Sequence, residues 1–141
     1  MNTFYLISCV ASKQSVPAPA QELYISALFT KARSYVKATG CAWFILSAEH
    51  GLLAPDQVIA PYEKTLNTMP IAARRIWSQR ILQQLEAFIK PGDRVIFLAG
   101  TRYREFLAKG LAQRGVQVKT PLEGKRIGEQ LQWLKEHTDG Q

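Results

Sequence analysis

The feature that most constrains the fold of this chain is the alternation of short apolar runs with longer amphipathic segments. The run Ala-Trp-Phe-Ile-Leu-Ser over Ala42–Ser47 is apolar almost throughout, which is typical of a strand buried on both faces. The longer segments place apolar residues three and four positions apart, which predicts helices. The predicted strands are Thr3–Ser8, Ala42–Ser47, Arg94–Ala99 and Val116–Thr120, and the predicted helices cover 22–38, 68–89, 100–113 and 127–137. This order indicates an α/β fold, and we expect a single three-layer domain over residues 1–141, with a mainly parallel sheet of about four strands flanked by helices.

Length and composition exclude several classes of protein. The chain has 141 residues, of which 47% are hydrophobic and 21% are charged, and these fractions exclude a disordered chain. No apolar run approaches the roughly 18 residues that a membrane span needs, and the first residues lack the pattern of a signal peptide. We therefore expect a soluble, cytoplasmic protein without a membrane partner. The sequence leaves the oligomeric state open.

The net charge indicates an anionic partner. Eighteen Lys and Arg residues against eleven Asp and Glu residues give a net charge of +7. Such an excess favours polyanions, of which nucleic acid is the commonest in a cytosol, although it also fits an ordinary solvated surface. Arg102, Lys125 and Arg126 are the candidates for binding phosphate, and the last two precede a predicted helix whose N-terminus favours anions.

In a parallel sheet, ligands bind outside the carboxyl ends of the strands, at the point where the strand order reverses. Four segments follow the predicted strands and are expected to meet at this edge. They are Cys9–Lys13, Ser47–Pro55, Gly100–Tyr103 and Pro121–Gly128.

The second of these segments opens a predicted loop from Ala48 to about Met69 and carries the candidate catalytic residues. Ser47, Glu49, His50 and Asp56 lie within ten residues directly after a buried strand. An imidazole titrates near neutral pH, so His50 is a candidate general acid or base, with Glu49 or Asp56 to orient it or to accept a proton. Gly51 permits a turn with positive φ. The alternative is that His50 is only a turn residue.

The candidate substrate-binding residues come from three parts of the chain. Hydroxyl groups and a cation follow the first strand, and tyrosines in loops or first turns can stack on a base. The full set is Ser8, Cys9, Lys13, Tyr24, Ser26, Ser47, Gly51 and Tyr62. No zinc site is expected, because the chain has only two histidines and no Cys-x-x-Cys pair. No cofactor is indicated, because no Gly-x-Gly-x-x-Gly run follows a strand.

Together, these segments resemble a family of small bacterial and phage domains of unassigned function. The likeness rests on Leu6-Ile7-Ser8 with Lys13, Glu22-Leu23-Tyr24-x-Ser26, Leu46-Ser47-Ala48-Glu49-His50-Gly51-Leu52-Leu53, Pro61-Tyr62 and the run Ile127–Leu134. That family is similar to the larger peroxide-stress YaaA proteins, which have an Ile-Ser-Pro-Ala-Lys start and a Leu-Ser-Gly-x-Tyr-Gly segment leading to Pro-Tyr. A fainter similarity links Cys9-x-x-x-Lys13 and Tyr24-x-Ser26 to the Pro-Cys-Ser-x-x-Lys-Pro-Tyr-Ser-x-Ser signature of archaeosine synthase, which modifies a deazaguanine base in transfer RNA.

The resemblance implies a role directed at nucleic acid or nucleobases, on a fold shared with base-excising glycosylases. This chain departs from the look-alikes at Val10, where the signature has serine, at Glu49, where lysine is frequent, and at His50, where YaaA has tyrosine. The leading hypothesis is an enzyme that cleaves or exchanges the N-glycosidic bond of a base, which requires a pocket for the base and a proton donor. Two alternatives remain open: a non-catalytic basic module that binds DNA or RNA, and an enzyme that acts on free nucleotides.

Overall fold

The computed structural model describes residues 1–8 and 13–139. Its elements, in chain order, are β1 (Thr3–Ser8), β2 (Ala18–Pro19), α1 (Ala20–Leu23), α2 (Ala27–Thr39), β3 (Ala42–Ser47), β4 (Gly51–Leu53), β5 (Val58–Ile59), a 3-10 helix (Leu66–Thr68), α3 (Ile71–Leu85), β6 (Arg94–Leu98), α4 (Thr101–Gln113), β7 (Gln117–Lys119) and α5 (Ile127–Asp139).

The central sheet has five strands in the order β4-β3-β1-β6-β7. β1, β3, β6 and β7 run parallel, and β4 runs antiparallel to β3. The register pairs Ser8 with Leu46 and Ile7 with Leu98, so the carboxyl ends of β1, β3 and β6 lie at one edge. The predicted α/β fold with a mainly parallel sheet is therefore confirmed.

Helices cover both faces of this sheet. Phe4 and Leu6 pack into a core with residues of α3 and α4, whereas Tyr5 and Ile7 pack into a second core with residues of α2 and α5. Successive residues of a strand point to opposite faces, so a strand between two helical layers is apolar at every position. The three-layer arrangement is the one that the sequence predicts.

Strand β4 lies inside the segment that sequence analysis predicts to be a loop. Gly51 has φ +76° and turns the chain back, so that Leu53 pairs with Ile45 and is fully buried. A Cβ atom at Gly51 would also lie 3.1 Å from Gln84 Oε1, which leaves little room for another residue. A three-residue strand is too short for its periodicity to be recognised, which is why the prediction missed it.

The first long helix begins later than predicted. Residues 22–38 were expected to form one helix, but the chain leaves α1 at Tyr24, which forms an antiparallel bridge with Lys13. Helix α2 starts only after Ser26, whose Oγ accepts a hydrogen bond from the backbone N–H of Phe29 at 3.3 Å. A serine cap and a tertiary contact of Tyr24 outweigh the local helical periodicity here.

The connections define where a ligand is expected. The chain passes from β1 to β3 on one side and then crosses to β6 on the other side of β1, so the strand order reverses between β1 and β6. Open α/β sheets bind ligands in the crevice outside the carboxyl ends of the strands at such a point.

Candidate functional site

A cavity of about 420 Å³ opens at the reversal of strand order. Ser8 at the end of β1 and the segment 98–100 at the end of β6 form its floor, and Tyr103 and Ile127 contribute from α4 and α5. Cavities of roughly 300–1,000 Å³ are usual for small-molecule sites. We call this space the switch-point cavity.

The walls of the switch-point cavity are mainly apolar. Phe29, Leu98, Leu122 and Leu131 provide hydrocarbon and ring surfaces, while the polar side chains are few. These polar side chains are Ser8, Ser26, Asn67 and Gln130. Apolar walls with a few polar groups suit a flat heteroaromatic ring that offers hydrogen bonds at its edge.

Three helices begin at this cavity, and the hydrogen bonds at their N-termini differ. Ser26 caps α2, and Glu129 Oε1 accepts a hydrogen bond from the Arg126 backbone N–H at 2.9 Å at the start of α5. Helix α4 starts at Gly100 without a side-chain cap, and the Gly100 N–H donates to Ser8 Oγ at 3.2 Å. Helix N-termini carry partial positive charge, so the α4 end of the cavity favours an anion.

Next to the cavity, Lys13, Tyr24, His50 and Tyr62 form a group that we call the Tyr62 cluster. The Lys13 Nζ atom lies 4.6 Å from the centroid of the Tyr62 ring, and the His50 ring meets Tyr62 edge-on with centroids 5.3 Å apart. The Tyr24 and Tyr62 hydroxyl groups share a hydrogen bond of 2.5 Å. Residues far apart in the sequence therefore contact one tyrosine.

Hydrogen bonds of Ser47 hold the turn that carries His50. The His50 backbone N–H donates to Ser47 Oγ at 2.9 Å, and the Ser47 carbonyl accepts a hydrogen bond from Trp77 Nε1 at 2.9 Å. The Nε2 atom of His50 is buried and has no hydrogen-bond partner among the described residues. Leaving a buried polar atom unpaired costs about 1–3 kcal/mol, so this nitrogen is a candidate for contact with substrate.

Two contacts join the Tyr62 cluster to the cavity. The Tyr24 ring packs on Phe29 in the cavity wall, with centroids 5.1 Å apart. In addition, the register places Ser8 beside Leu46, next to the start of the His50 turn. The chain between Ser8 and Lys13 includes Cys9, which lies outside the described residues.

The structure gives several of the predicted substrate-binding residues a different position. Tyr24 and Ser47 are both fully buried, so Tyr24 offers no ring face to a base and Ser47 supports the His50 turn. Gly51 is buried in the β3–β4 hairpin beside Gln84. By contrast, Ser8 and Ser26 line the cavity, where their hydroxyl groups were expected to meet a ligand.

The two predicted carboxylate partners do not meet the imidazole. Glu49 and Asp56 are exposed, and neither forms a hydrogen bond or an ion pair with His50 in the part of the chain that the structure describes. Glu49 directly precedes His50 and Asp56 follows it by six residues, but closeness in sequence does not bring either carboxylate into a hydrogen bond with the imidazole among the described residues. No role for them follows from the geometry.

The candidate phosphate-binding cations lie at the ends of helices. Arg102 is exposed in the first turn of α4, and Arg126 is exposed just before α5. Lys125 is half-buried, and its carbonyl accepts a hydrogen bond from Gln130 Nε2 at 2.9 Å. None of the three forms an ion pair with a described residue.

Sequence reasoning missed the residues that shape the cavity. Phe29, Leu98 and Leu131 read as core positions of α2, β6 and α5, and nothing in their spacing separates a cavity wall from a packed core. Asn67 and Gln130 had a usable signal, because each is a polar residue near a segment expected at the ligand-binding edge.

The geometry offers no obvious metal centre. Within residues 1–8 and 13–139, no group of three or more His, Cys, Asp or Glu side chains could hold a metal ion. Cys41 is a half-buried free thiol at the start of β3, away from the cavity lining.

The fold is a doubly wound α/β domain with a cavity at its strand-order switch. Residues 4–136 match the model of DUF6884, a family of unknown function, and the chain belongs to that family. No curated protein matches the chain. In the described part of the chain, no helix is long and apolar enough to cross a membrane.

Proposed function

We propose that this protein is a nucleobase-directed enzyme that cleaves or exchanges the N-glycosidic bond of a base within DNA or RNA. The base enters the switch-point cavity, and the sugar lies between this cavity and the Tyr62 cluster. The observation that carries the proposal is the buried Nε2 atom of His50, which has no hydrogen-bond partner among the described residues. It belongs to a cluster whose Tyr24 ring packs on Phe29, in the wall of an apolar cavity large enough for a base. The resemblance to YaaA and archaeosine synthase supports the same class of substrate.

The cavity supports recognition of a base rather than of a sugar or a peptide. Phe29 and Leu98 provide apolar surface for a flat ring, and the Ser26 and Gln130 side chains can bond to its polar edge. The uncapped start of α4 at Gly100 supports binding of a flanking phosphate.

The Tyr62 cluster supports proton transfer. In the proposed reaction, the bond between the sugar C1′ and the base nitrogen breaks, and its electron pair stays with the base. Water, or an incoming base, forms the new bond to C1′, and His50 Nε2 gives a proton to the leaving base or takes one from the attacking water. Lys13, which lies over the Tyr62 ring, supports binding of the sugar phosphate.

A base-release assay tests the proposal. The full chain is incubated with a panel of DNA and RNA oligonucleotides that carry modified and unmodified bases, and released base is measured by mass spectrometry. We expect release from at least one substrate and a rate lower by about 100- to 10,000-fold in His50→Gln, as for loss of a general acid or base. The matched control is His137→Gln, an exposed histidine whose ring stacks on Trp133 near the end of α5.

Other outcomes of the base-release assay contradict the proposal or favour one of the alternatives. No release from any substrate, or equal rates for both variants, contradicts the catalytic proposal. A protein that binds oligonucleotides but releases no base is the binding module. Arg102 and Arg126 favour this second candidate, because both are exposed and neither forms an ion pair with a described residue. Release from mononucleotides without dependence on oligonucleotide length indicates an enzyme of free nucleotides.

A further inference from the structure

A groove of about 350 Å³ lies between α3 and α4, on the sheet face opposite to α2 and α5. Its lining includes Arg75, Gln79, Lys109, Gln113 and Arg114, and it contains no Asp or Glu. Three cations and two amide side chains in one groove form a surface suited to anions. We call it the α3/α4 groove.

The cations of this groove differ from their sequence neighbours. Arg74 is buried, and its Nε donates to Glu105 Oε1 at 3.0 Å, whereas Arg75 is exposed and has no ion pair among the described residues. Lys109 is likewise exposed without a carboxylate partner in the described part of the chain. Of the cations lining the groove, Arg114 is paired, with Glu86 at 3.5 Å.

Packing holds the Arg75 guanidinium in place without neutralising it. Its Cζ lies 4.6 Å from the centroid of the Phe106 ring, and Phe106 also lines the groove. A guanidinium on an aromatic face keeps its N–H donors directed outward and is more weakly hydrated than an ammonium group. This arrangement is common where arginine binds phosphate.

The groove continues toward the cavity. Arg102, Phe106, Lys109 and Gln113 follow one another at helical spacing and share one face of α4. Helix α4 begins at the rim of the switch-point cavity, and from Arg102 to Arg114 it spans about 18 Å. This length covers several consecutive phosphates of a nucleic-acid strand.

From these observations we propose that the α3/α4 groove binds the phosphodiester backbone of a nucleic acid. This second proposal rests on the proposed function in one respect, namely that the polyanion is a nucleic acid. The backbone follows α4 from Arg114 toward Arg102, while a nucleotide at the end of this path reaches the switch-point cavity.

The test compares two pairs of substitutions that remove the same charge. Arg75→Gln with Lys109→Gln removes two of the three cations that line the groove, and Lys37→Gln with Lys135→Gln removes two exposed lysines on α2 and α5, in the opposite layer. Binding of a labelled oligonucleotide is measured by fluorescence anisotropy at several salt concentrations. Three phosphate contacts predict that wild-type affinity falls about 20- to 40-fold between about 50 and 200 mM salt.

We expect the groove pair to weaken binding and to lower the magnitude of the salt slope by roughly 1 to 2, whereas the control pair leaves the slope unchanged. Equal effects of the two pairs, or none, would overturn the inference. Stronger groove-dependent binding to vesicles that contain phosphatidylserine would overturn it as well, because the polyanion would then be a membrane surface. Circular dichroism melting checks that both pairs fold.

The two proposals fail separately. The groove is tested by the salt slope of oligonucleotide binding and the reaction by release of base, and His50 does not line the groove. Groove-dependent binding without base release therefore contradicts only the proposed reaction, and base release that is indifferent to the groove pair contradicts only this inference.

Discussion

The switch-point cavity and the α3/α4 groove are similar in volume but differ in chemistry. The cavity of about 420 Å³ is walled by apolar side chains, whereas the groove of about 350 Å³ is lined by Arg75, Lys109 and Arg114. Burial of apolar surface depends little on salt, but attraction between exposed charges is screened by it. The two regions therefore offer different chemistry: under the proposed function, the cavity would recognise a base and the groove would attract its backbone.

The comparison also shows why the net charge of +7 is an incomplete guide. Arg74 and Arg104 are buried and paired with Glu105 and Glu123, so they stabilise the helical layer and are not available to a partner. The cations without carboxylate partners among the described residues, such as Arg75 and Lys109, are the ones most available to an anion.

The largest effect in this comparison is expected from filling the cavity. Ala27 is exposed in the first turn of α2 and lines the cavity, so Ala27→Phe places a ring where a ligand would lie. An overpacking cost of about 1–3 kcal/mol corresponds to roughly 5- to 150-fold weaker binding of a nucleoside, measured by calorimetry. The control is Ala38→Phe, an exposed position near the end of the same helix.

Ala27→Phe distinguishes the role of the cavity from that of the groove only if binding at the groove is unchanged. The salt slope for oligonucleotides should stay at the wild-type value in Ala27→Phe. Equal losses in Ala27→Phe and Ala38→Phe would mean that the cavity is not the nucleoside site.

A smaller effect is expected at the turn below His50. Ser47→Ala removes the hydrogen bond to the His50 backbone N–H, at a cost of about 0.5–1.5 kcal/mol in the free energy of unfolding. Because Ser47 positions His50, we expect kcat for base release to fall roughly 10-fold with KM unchanged, less than the 100-fold that a 1 Å misplacement can cost.

Ser78→Ala is the matched control for this prediction. Ser78 is also buried, but its Oγ has no hydrogen-bond partner among the described residues, so the substitution should leave both kcat and the free energy of unfolding almost unchanged. A decrease in stability without a decrease in kcat for Ser47→Ala would restrict Ser47 to a structural role.

The smallest effect concerns acid stability and involves Asp93, the residue before β6. Asp93 Oδ1 accepts a hydrogen bond from the Asn2 N–H at 3.0 Å, and Oδ2 accepts one from the Lys90 N–H at 2.9 Å. These two bonds hold the pKa of the Asp93 carboxyl below its ordinary value. The stabilisation is therefore present above the ordinary carboxyl pKa of about 3.9 and is lost as the pH falls through the lower pKa of the folded state.

Asp93→Asn should flatten the acid limb of the stability profile, measured as urea midpoints between about pH 6 and pH 3. The control is Glu63→Gln, an exposed carboxylate without a hydrogen bond to the described residues. Neither substitution should change nucleoside or oligonucleotide binding, which separates loss of stability from loss of either site. An acid limb equally steep in Asp93→Asn and the wild type would contradict the assignment.

The sequence by itself determined the α/β fold and the edge of the sheet at which the cavity opens. The apolar runs of β1, β3 and β6 predict strands, because a strand between two helical layers must be apolar throughout. The spacing of apolar residues in α3, α4 and α5 predicts helices. Ser8 was expected at that edge because it ends the first strand, and it lines the cavity. Ser26 also lines the cavity, but it was singled out by its place near the start of the first predicted helix and by the family resemblance.

Only the tertiary structure decided which of the candidate residues meet. It brought Lys13 and His50 to Tyr62, buried Tyr24 and Ser47, and left Asp56 with no hydrogen bond or ion pair to His50 within residues 1–8 and 13–139. It also distinguished the paired Arg74 from the unpaired Arg75, its neighbour in the chain. Contacts of this kind depend on how the hairpin after β3 and the helices pack in space, and sequence spacing within one element does not specify that packing.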